Sequence, residues 1–225
     1  DWAAVTETAE QLAAEQTEAA ETQPEETQPE ESLSPEEMKY NEAVDLFYNE
    51  EYGKAAIAFA KLGDFWDARE ISHKIWDAIA VRDTIYAQNG FTAAVCEDGT
   101  VAVCGTLAPD VSDWTDIIAI SRSSPLMLGL RSDGSVVATD TRNSSREITL
   151  KGWTDIVSVA TDGCTIFGLK MDGTVVAYQE YEYADWRMDE KELAVYLDKI
   201  AALKDIIEFN VTTAKTADGR WLSGL

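Results

Sequence analysis

The residues of this chain that could do chemistry are led by four aspartates, each directly before a glycine: Asp98, Asp133, Asp172 and Asp218. Carboxylates are the ligands that calcium prefers, so a recurring aspartate could mark a calcium site. An aspartate before a glycine with positive φ is also a common way to close a tight turn. We therefore interpret all four as turn-forming residues. A carboxylate pair that hydrolyses glycosidic bonds is an open alternative, although no pair stands out.

Histidine offers little further chemistry. His73 is the single histidine of the chain, and it stands beside Ile71 and Ile75 in a helical pattern. No serine or cysteine motif accompanies it, which favours a structural or surface role. There is no G-x-S-x-G, no phosphate-binding glycine loop and no His-Glu-x-x-His. We predict that the protein is not an enzyme and has no cofactor and no metal site.

The cysteines are Cys96, Cys104 and Cys164, an odd number without metal-ligand spacing. Counting outward from the turn at residues 98–99 places Cys104 nearer to Ala93 than to Cys96, so a disulfide is not favoured. We expect buried free thiols, and cysteine usage does not identify the compartment.

The densest aromatic cluster lies in the segment YQEYEYADW and comprises Tyr178, Tyr181, Tyr183 and Trp186. It precedes a predicted amphipathic helix over residues 189–203. Tyrosine and tryptophan combine a large apolar area with a hydrogen-bonding tip, which suits a protein-binding surface. The alternative is that the four rings only seat this helix against the strands before it. The cluster is our candidate binding site.

One stretch of alternating apolar residues organises the rest of the chain. Residues 165–179, TIFGLKMDGTVVAYQ, predict two strands joined at the Asp-Gly turn, because apolar residues two apart share one face of a strand. The stretch recurs at residues 93–104 and 128–139 and, in a worn form, around residue 218. Its turns are 35, 39 and 46 residues apart, as in a repeat array. Eight residues of the second and third copies are expected to be buried: Leu128, Leu130, Val136, Ala138, Phe167, Leu169, Val175 and Ala177.

A second sequence motif precedes the hairpin in two of the copies. Trp-Thr-Asp-Ile begins at Trp114 and at Trp153, at the same distance before the hairpin turns at Asp133 and Asp172, and gives three strands per unit. The motifs WTDIVSVA and GLKMDGTVVA resemble the regulator-of-chromosome-condensation repeat in its short bacterial form. That form also builds the propeller of the β-lactamase inhibitor protein II. The resemblance covers residues 81–225 and implies a β-propeller, in which each unit is one blade packed face to face on its neighbours.

The number of units sets the expected architecture. Propellers of this family typically close with seven blades, whereas four units are found here, so we predict mainly β repeats in a partial or open β-propeller. Lys215 stands in the last copy where the second and third copies have Leu130 and Leu169. An exposed apolar face is therefore expected at one end of the array. We expect it to be covered by the 189–203 helix, by helices over residues 35–80, or by sequence outside the chain.

The N-terminal third of the chain is different. Residues 1–38 hold 12 of the 42 acidic residues and no lysine or arginine, so residues 1–34 are predicted to be an acidic, solvated stalk. Ser34-Pro35-Glu36-Glu37 is a helix start with a capping box. The helical pattern over residues 35–80, with Tyr52-x-x-Ala55-x-x-x-Phe59, resembles a tetratricopeptide-type repeat. The chain starts at Asp1, which suggests that a signal peptide, a lipid-anchor segment or a cloning boundary preceded it.

Charge and the two resemblances set the predicted function. The net charge is −24, which disfavours binding to nucleic acid and to anionic lipid. No apolar run is long enough to span a membrane. Because both repeat families mostly present surfaces to other proteins, the resemblances imply a non-catalytic interaction scaffold with a protein partner. We expect a bacterial protein that is secreted or anchored at the cell surface. The alternative is a glycan-binding or glycan-hydrolysing surface protein that uses rim aromatics and carboxylates.

Overall fold

The computed structural model describes residues 33–79, 83–88, 90–106, 108–141, 146–148, 150–179 and 190–223. The chain divides into two compact units, Asp1–Val81 and Arg82–Leu225. The predicted acidic stalk lies outside the described residues, apart from its last two, and stays a prediction.

The described residues of the first unit form three helices, α1 (Pro35–Tyr48), α2 (Tyr52–Leu62) and α3 (Ala68–Ile79). The predicted capping box starts α1: the Glu37 amide donates to Ser34 Oγ (3.2 Å), and the Ser34 amide donates to Glu37 Oε2 (2.7 Å). Gly63 ends α2 with a φ of 60°, a conformation that glycine adopts without strain.

The core of this helical unit combines aromatic and small residues. Tyr40 and Phe59 are buried with their rings 5.2 Å apart, edge to face. Ala55 and Ala56 are fully buried and let α2 and α3 approach closely, so that the buried Ser72 Oγ donates to the Ala56 carbonyl (2.8 Å). The three predicted helices are confirmed. Their assignment to a tetratricopeptide-type repeat stays a prediction.

In the second unit the described strands form four antiparallel sheets, each a meander of strands consecutive in the chain. We call them the first to fourth blades. The first holds β1 (Ile85–Gln88), β2 (Phe91–Val95) and β3 (Val101–Gly105); the second holds β4 (Ile117–Ser123), β5 (Leu126–Arg131), β6 (Val136–Asp140) and β7 (Arg146–Glu147). The third holds β8 (Ile156–Thr161), β9 (Thr165–Lys170) and β10 (Val175–Gln179); the fourth holds β11 (Ile206–Phe209), β12 (Thr213–Thr216) and β13 (Trp221–Ser223). The sheets form a partial β-propeller, and β7 is a strand beyond the three per unit that the sequence predicts.

The hairpin register agrees with the period-two pattern. Leu169 pairs with Val175 and Leu130 pairs with Val136 across their turns. Both leucines are buried, which confirms the repeat register. Of the eight residues expected in the core, Val136 and Ala177 are half-buried and the other six are buried.

Consecutive blades pack face to face, and we call each such contact a joint. Alternate residues of one strand face the preceding and the following blade, since side chains alternate across a strand. Met127 therefore packs against the first blade, while Leu128 packs against the third. Three buried clusters fill the three joints: Phe91 and Ala93 with Trp114 and Met127; Leu128 and Ala138 with Ile166; and Phe167, Leu169 and Val175 with Phe209 and Ala214.

Backbone hydrogen bonds fasten every joint in the same way. The isoleucine that begins the first strand of a blade donates its amide to the carbonyl of the turn glycine in the blade before it. The aspartate directly before that isoleucine has a positive φ, which aspartate tolerates better than most residues. The equivalent donors are Ile117 to Gly99 (2.9 Å), Ile156 to Gly134 (3.0 Å) and Ile206 to Gly173 (3.0 Å), after Asp116 (φ 56°), Asp155 (φ 60°) and Asp205 (φ 55°).

The predicted inserted helix is present as α4 (Glu190–Ala201) and packs against β10. Its buried Ile200 and half-buried Tyr196 join the cluster between the third and fourth blades. Burial, followed by the charge of Asp162, raises the pKa of Tyr196. The helix therefore packs beside an internal joint, which differs from its expected place over an open end of the array.

Candidate functional site

The structure describes one of the four aromatic residues predicted to bind a partner. Tyr178 lies on β10, where it is half-buried against the cluster between the second and third blades, near Trp153 and Val159. It pairs with the buried Ile166 and therefore faces the second blade. Its ring packs in the joint between the second and third blades. Tyr181, Tyr183 and Trp186 lie outside the described residues, and their predicted binding role stays a prediction.

The recurring aspartates close their hairpin turns. Asp98 Oδ1 accepts from the amide (3.0 Å) and hydroxyl (2.6 Å) of Thr100, and Asp172 Oδ1 accepts from the same groups of Thr174 (2.9 and 2.6 Å). The hydroxyl bonds first, and then the amide bonds, lower the pKa of Asp98 and of Asp172. These contacts support the interpretation of the aspartates as turn-forming residues. Within the described ranges, no group of three or more His, Cys, Asp or Glu is placed to hold a metal ion.

The three cysteines form no disulfide, but the prediction that their thiols are buried is wrong. Cys96 and Cys164 are half-buried, and Cys104 is exposed. Cys104 pairs with Thr92, so its side chain lies on the face of the first blade that points away from the second blade. It is exposed because no blade covers that face among the described residues.

This uncovered surface is the start face of the first blade, formed by Ile85, Thr92, Ala94, Ala102 and Cys104. Ile85 pairs with Ala94 as Ile120 of the second blade pairs with Gly129. The side chain of Ile120 is 3% exposed because the first blade covers it, whereas Ile85 is 69% exposed. An apolar residue at a joint position is thus open to solvent.

The fourth blade has the complementary uncovered surface, its end face, formed by Glu208, Thr213, Lys215, Trp221 and Ser223. Lys215 pairs with Trp221, where the third blade pairs Leu169 with Val175. Trp221 is 56% exposed and Val175 is 1% exposed. The Lys215 ammonium lies 5.6 Å from the Trp221 ring centroid and 3.9 Å from Glu208 Oε2.

The turn of the fourth blade is also open. A Cβ on Gly173 would lie 3.1 Å from Cα of Asp205 in the next blade, and a Cβ on Gly99 would lie 3.0 Å from Cα of Asp116. A Cβ added to Gly219 would have no atom within 4 Å. In the described part of the chain, no isoleucine amide reaches the Gly219 carbonyl. No sheet joins the described strands of the first and fourth blades.

Sequence reasoning missed Ile85 and Trp221 for different reasons. Counting outward from the Asp218-Gly219 turn pairs Trp221 with Lys215, so the sequence alone could have placed Trp221 on the same face as Lys215. The register of Ile85 is hidden, since the Trp-Thr-Asp-Ile motif that marks the first strand of the second and third copies has no counterpart before Ile85.

No family model and no curated protein matches this chain. Among solved structures, Prp20p from Saccharomyces cerevisiae, a protein studied for its binding to Gsp1p and histones, is 16% identical with a TM-score of 0.44. The match covers 63% of this chain and 44% of Prp20p. Yeast RCC1 (Prp20) bound to Kap60 is 14% identical, TM-score 0.42, over 63% and 43% of the two chains. The computationally designed Ika8 protein is 14% identical, TM-score 0.40, over 61% and 43%. The chain thus spans less than half the length of these proteins.

Proposed function

We propose that this chain is a non-catalytic protein-interaction scaffold that binds its partner through the two open faces of its blade array. The observation that carries the proposal is the exposure of Ile85, because its equivalent in the second blade, Ile120, is buried. An exposed apolar sheet face of this kind marks a protein-interaction site, because covering it with a partner stabilises the complex. The negative charge of the chain favours a protein partner over nucleic acid.

The proposal includes a place in the cell. We propose an extracytoplasmic protein of a bacterium, with residues 1–34 as an acidic stalk that holds the folded units away from an anchor. None of the described helices is long and apolar enough to cross a membrane.

A second candidate function is glycan binding at the end face. It is favoured by the exposed Trp221 ring, which has the Lys215 ammonium beside it, and by Glu208, whose carboxylate lies next to that ammonium; both groups can form hydrogen bonds. The five residues that form the start face include no charged side chain, so the two functions make different demands on the two faces.

Site-specific photo-crosslinking in the native cell tests the choice. A photoreactive phenylalanine analogue is placed at residue 85, at residue 221, or at the exposed Val195 of α4 as the control. We expect one defined protein adduct from residues 85 and 221 and none from residue 195. Adducts of equal yield at all three positions would contradict the proposed function. Glycan binding that Trp221→Ala abolishes, without a protein adduct at residue 85, would favour the second candidate.

A further inference from the structure

The turn between β11 and β12 contains a sequence motif centred on Asn210. Residues 208–212 read EFNVT, so Asn210 begins an Asn-x-Thr sequence and Glu208 stands two residues before it. An asparagine in such a sequence is the acceptor of N-linked glycans in secreted proteins, where it lies in surface loops. Because so short a motif also arises by chance, its place in the fold decides whether an enzyme can modify it.

The turn exposes the two residues that the motif requires and anchors the residue between them. Asn210 and Thr212 are exposed, whereas Val211 is half-buried and packs against the cluster between the third and fourth blades. The turn is therefore held by its middle residue, and an enzyme can reach the residues on either side of it. Loops positioned by a rigid scaffold are where functional groups are usually presented.

The third blade shows that this exposure belongs to the turn itself. Asp162 stands at the equivalent position between β8 and β9, where its Oδ1 accepts from the amides of Cys164 (2.7 Å) and Thr165 (2.6 Å). Asp162 is exposed although the fourth blade packs against the third. A following blade thus leaves this position accessible, and the exposure of Asn210 does not depend on the open end face.

Hydrogen bonds orient the side chain of Asn210. The amides of Thr212 and Thr213 each donate to Asn210 Oδ1 (3.0 Å), and the Thr212 hydroxyl lies 3.4 Å from the same oxygen. Since a backbone N–H needs an acceptor, these two donors identify the atom as the amide oxygen and leave Nδ2 on the other side. Within the described part of the chain, Nδ2 has no hydrogen-bond partner. The nitrogen that accepts a glycan is therefore available in an exposed turn.

We propose that Asn210 is the acceptor of an N-linked glycan, donated by a lipid-linked oligosaccharide diphosphate. Nδ2 forms a bond to the anomeric carbon of the first sugar, the bond from this carbon to the diphosphate oxygen breaks, and the lipid diphosphate leaves with the electron pair. Nδ2 gives one proton to a base of the oligosaccharyltransferase. The hydrogen bonds to Oδ1 assist this proton loss, because they stabilise the negative charge that the amide oxygen gains.

Glu208 offers the modifying enzyme a second contact. Its side chain is 61% exposed, and its carboxylate lies 3.9 Å from the Lys215 ammonium. A surface pair of this kind contributes little to stability, so the carboxylate can exchange it for an arginine of the enzyme. Arginine binds a carboxylate through two parallel hydrogen bonds, which adds geometric specificity. Residues 208, 210 and 212 together form the recognised motif.

The glycan is a property beyond the scaffold function, but it rests on the proposed extracytoplasmic place. The test is export of the full chain, behind a signal peptide, in a bacterium with an oligosaccharyltransferase and a lipid-linked oligosaccharide whose first sugar is an N-acetylhexosamine. Intact mass detects the glycan. Peptide mapping assigns it to Asn210 or to Asn143, which begins another Asn-x-Ser sequence and lies outside the described residues. We expect the mass of one glycan on Asn210.

Four variants separate the motif from the fold. Asn210→Asp should abolish the modification, because a carboxylate has no N–H, and it keeps the acceptor for both backbone amides, as Asp162 does. Thr212→Val should remove most of the glycan, whereas Thr212→Ser keeps the hydroxyl and should retain it. Glu208→Gln should slow glycan addition by about tenfold, the effect of losing one charge-assisted hydrogen bond. The matched control is Glu97→Gln, at an exposed glutamate in another turn.

Three results would overturn the proposal. The first is a folded, exported chain that gains no glycan at Asn210 or gains one at Asn143 alone. The second is native chain that is recovered from outside the cytoplasm with Asn210 unmodified. Both leave the scaffold function and the proposed place intact, since photo-crosslinking at residues 85 and 221 tests that function separately. The third is native chain confined to the cytoplasm, which overturns the proposed place as well. Unchanged glycan addition in Glu208→Gln would remove Glu208 from the motif.

Discussion

Replacing Gly168 by alanine tests how each blade packs its own tryptophan. An added Cβ on Gly168 would lie 2.8 Å from Cζ3 of Trp153 and 3.1 Å from Cδ1 of Ile156. A distance below 3.0 Å cannot persist, and Ile156 is fully buried, so the tryptophan ring must move. Overpacking of this kind costs about 1–3 kcal/mol of the free energy of unfolding.

The fourth blade shows how the same site accepts a Cβ. It has Ala214 at the position of Gly168 and Leu203 at the position of Trp153, and both pack in the adjoining cluster. Trp153→Leu alone should cost about 1–3 kcal/mol through lost burial. The double variant, Trp153→Leu with Gly168→Ala, should lose at least about 1 kcal/mol less than the sum of the two single losses.

Chemical denaturation of the full chain, followed by far-UV circular dichroism, measures these losses. The two compact units are fitted as separate transitions, since a chain of two units need not unfold in one step. Additive losses in the double variant would refute the steric explanation. Gly129→Ala repeats the test in the second blade, where Trp114 lies 2.8 Å from the added Cβ.

The packing, the turns and the stalk give four further predictions. Leu169→Ala should cost about 2–5 kcal/mol in the same assay, and a loss below about 1 kcal/mol would contradict the core assignment. Because hydrogen bonds lower the pKa of Asp172, its contribution to stability is present above the ordinary pKa of an aspartate and is lost as pH falls through the lowered value; Thr174→Val should reduce this acid loss in melting curves. Because burial raises the pKa of Tyr196, its contribution to stability is present below the ordinary tyrosine pKa and is lost as pH rises through the raised value; Tyr196→Phe should flatten the alkaline melting curve. Deletion of residues 1–33 should leave the melting temperature within about 1–2 °C, and a clear drop would show that the segment docks.

The parts of the fold that sequence reasoning predicted are those set by local chemistry. Asp98 bonds to Thr100 two residues later, so each turn is visible in a few letters, and the turn fixes the strand register on both sides. The capping box at Ser34 is equally local. Burial of Leu169 followed from the alternation alone, because its face of the third blade is covered by the next repeat.

The remaining features of the fold depend on contacts between blades, which the pattern within one repeat does not predict. Strand β7 has two residues, too few for a periodicity. Exposure of Cys104 follows from the absence of a described blade before the first one, which alternation within one hairpin does not reveal. Tyr178 could have been placed in a joint, since it alternates with Ala177 and so faces the second blade. The candidate faces at Ile85 and Trp221 emerge only when the joints are compared with one another.

The joints also bear on how such a chain gains and loses repeats. Their fastening groups are a glycine carbonyl and an isoleucine amide, both part of the main chain. Consider the duplication of a segment that runs from one turn glycine to the aspartate of the next hairpin turn. The added blade then contains an isoleucine amide that donates to the blade before it and a glycine carbonyl that accepts from the blade after it. Removal of residues 134–172 would set Asp133 beside Gly173, and Ile206 would keep its acceptor in a shorter array of three blades. Blade number can therefore change by unequal recombination without matched changes in side chains at every boundary.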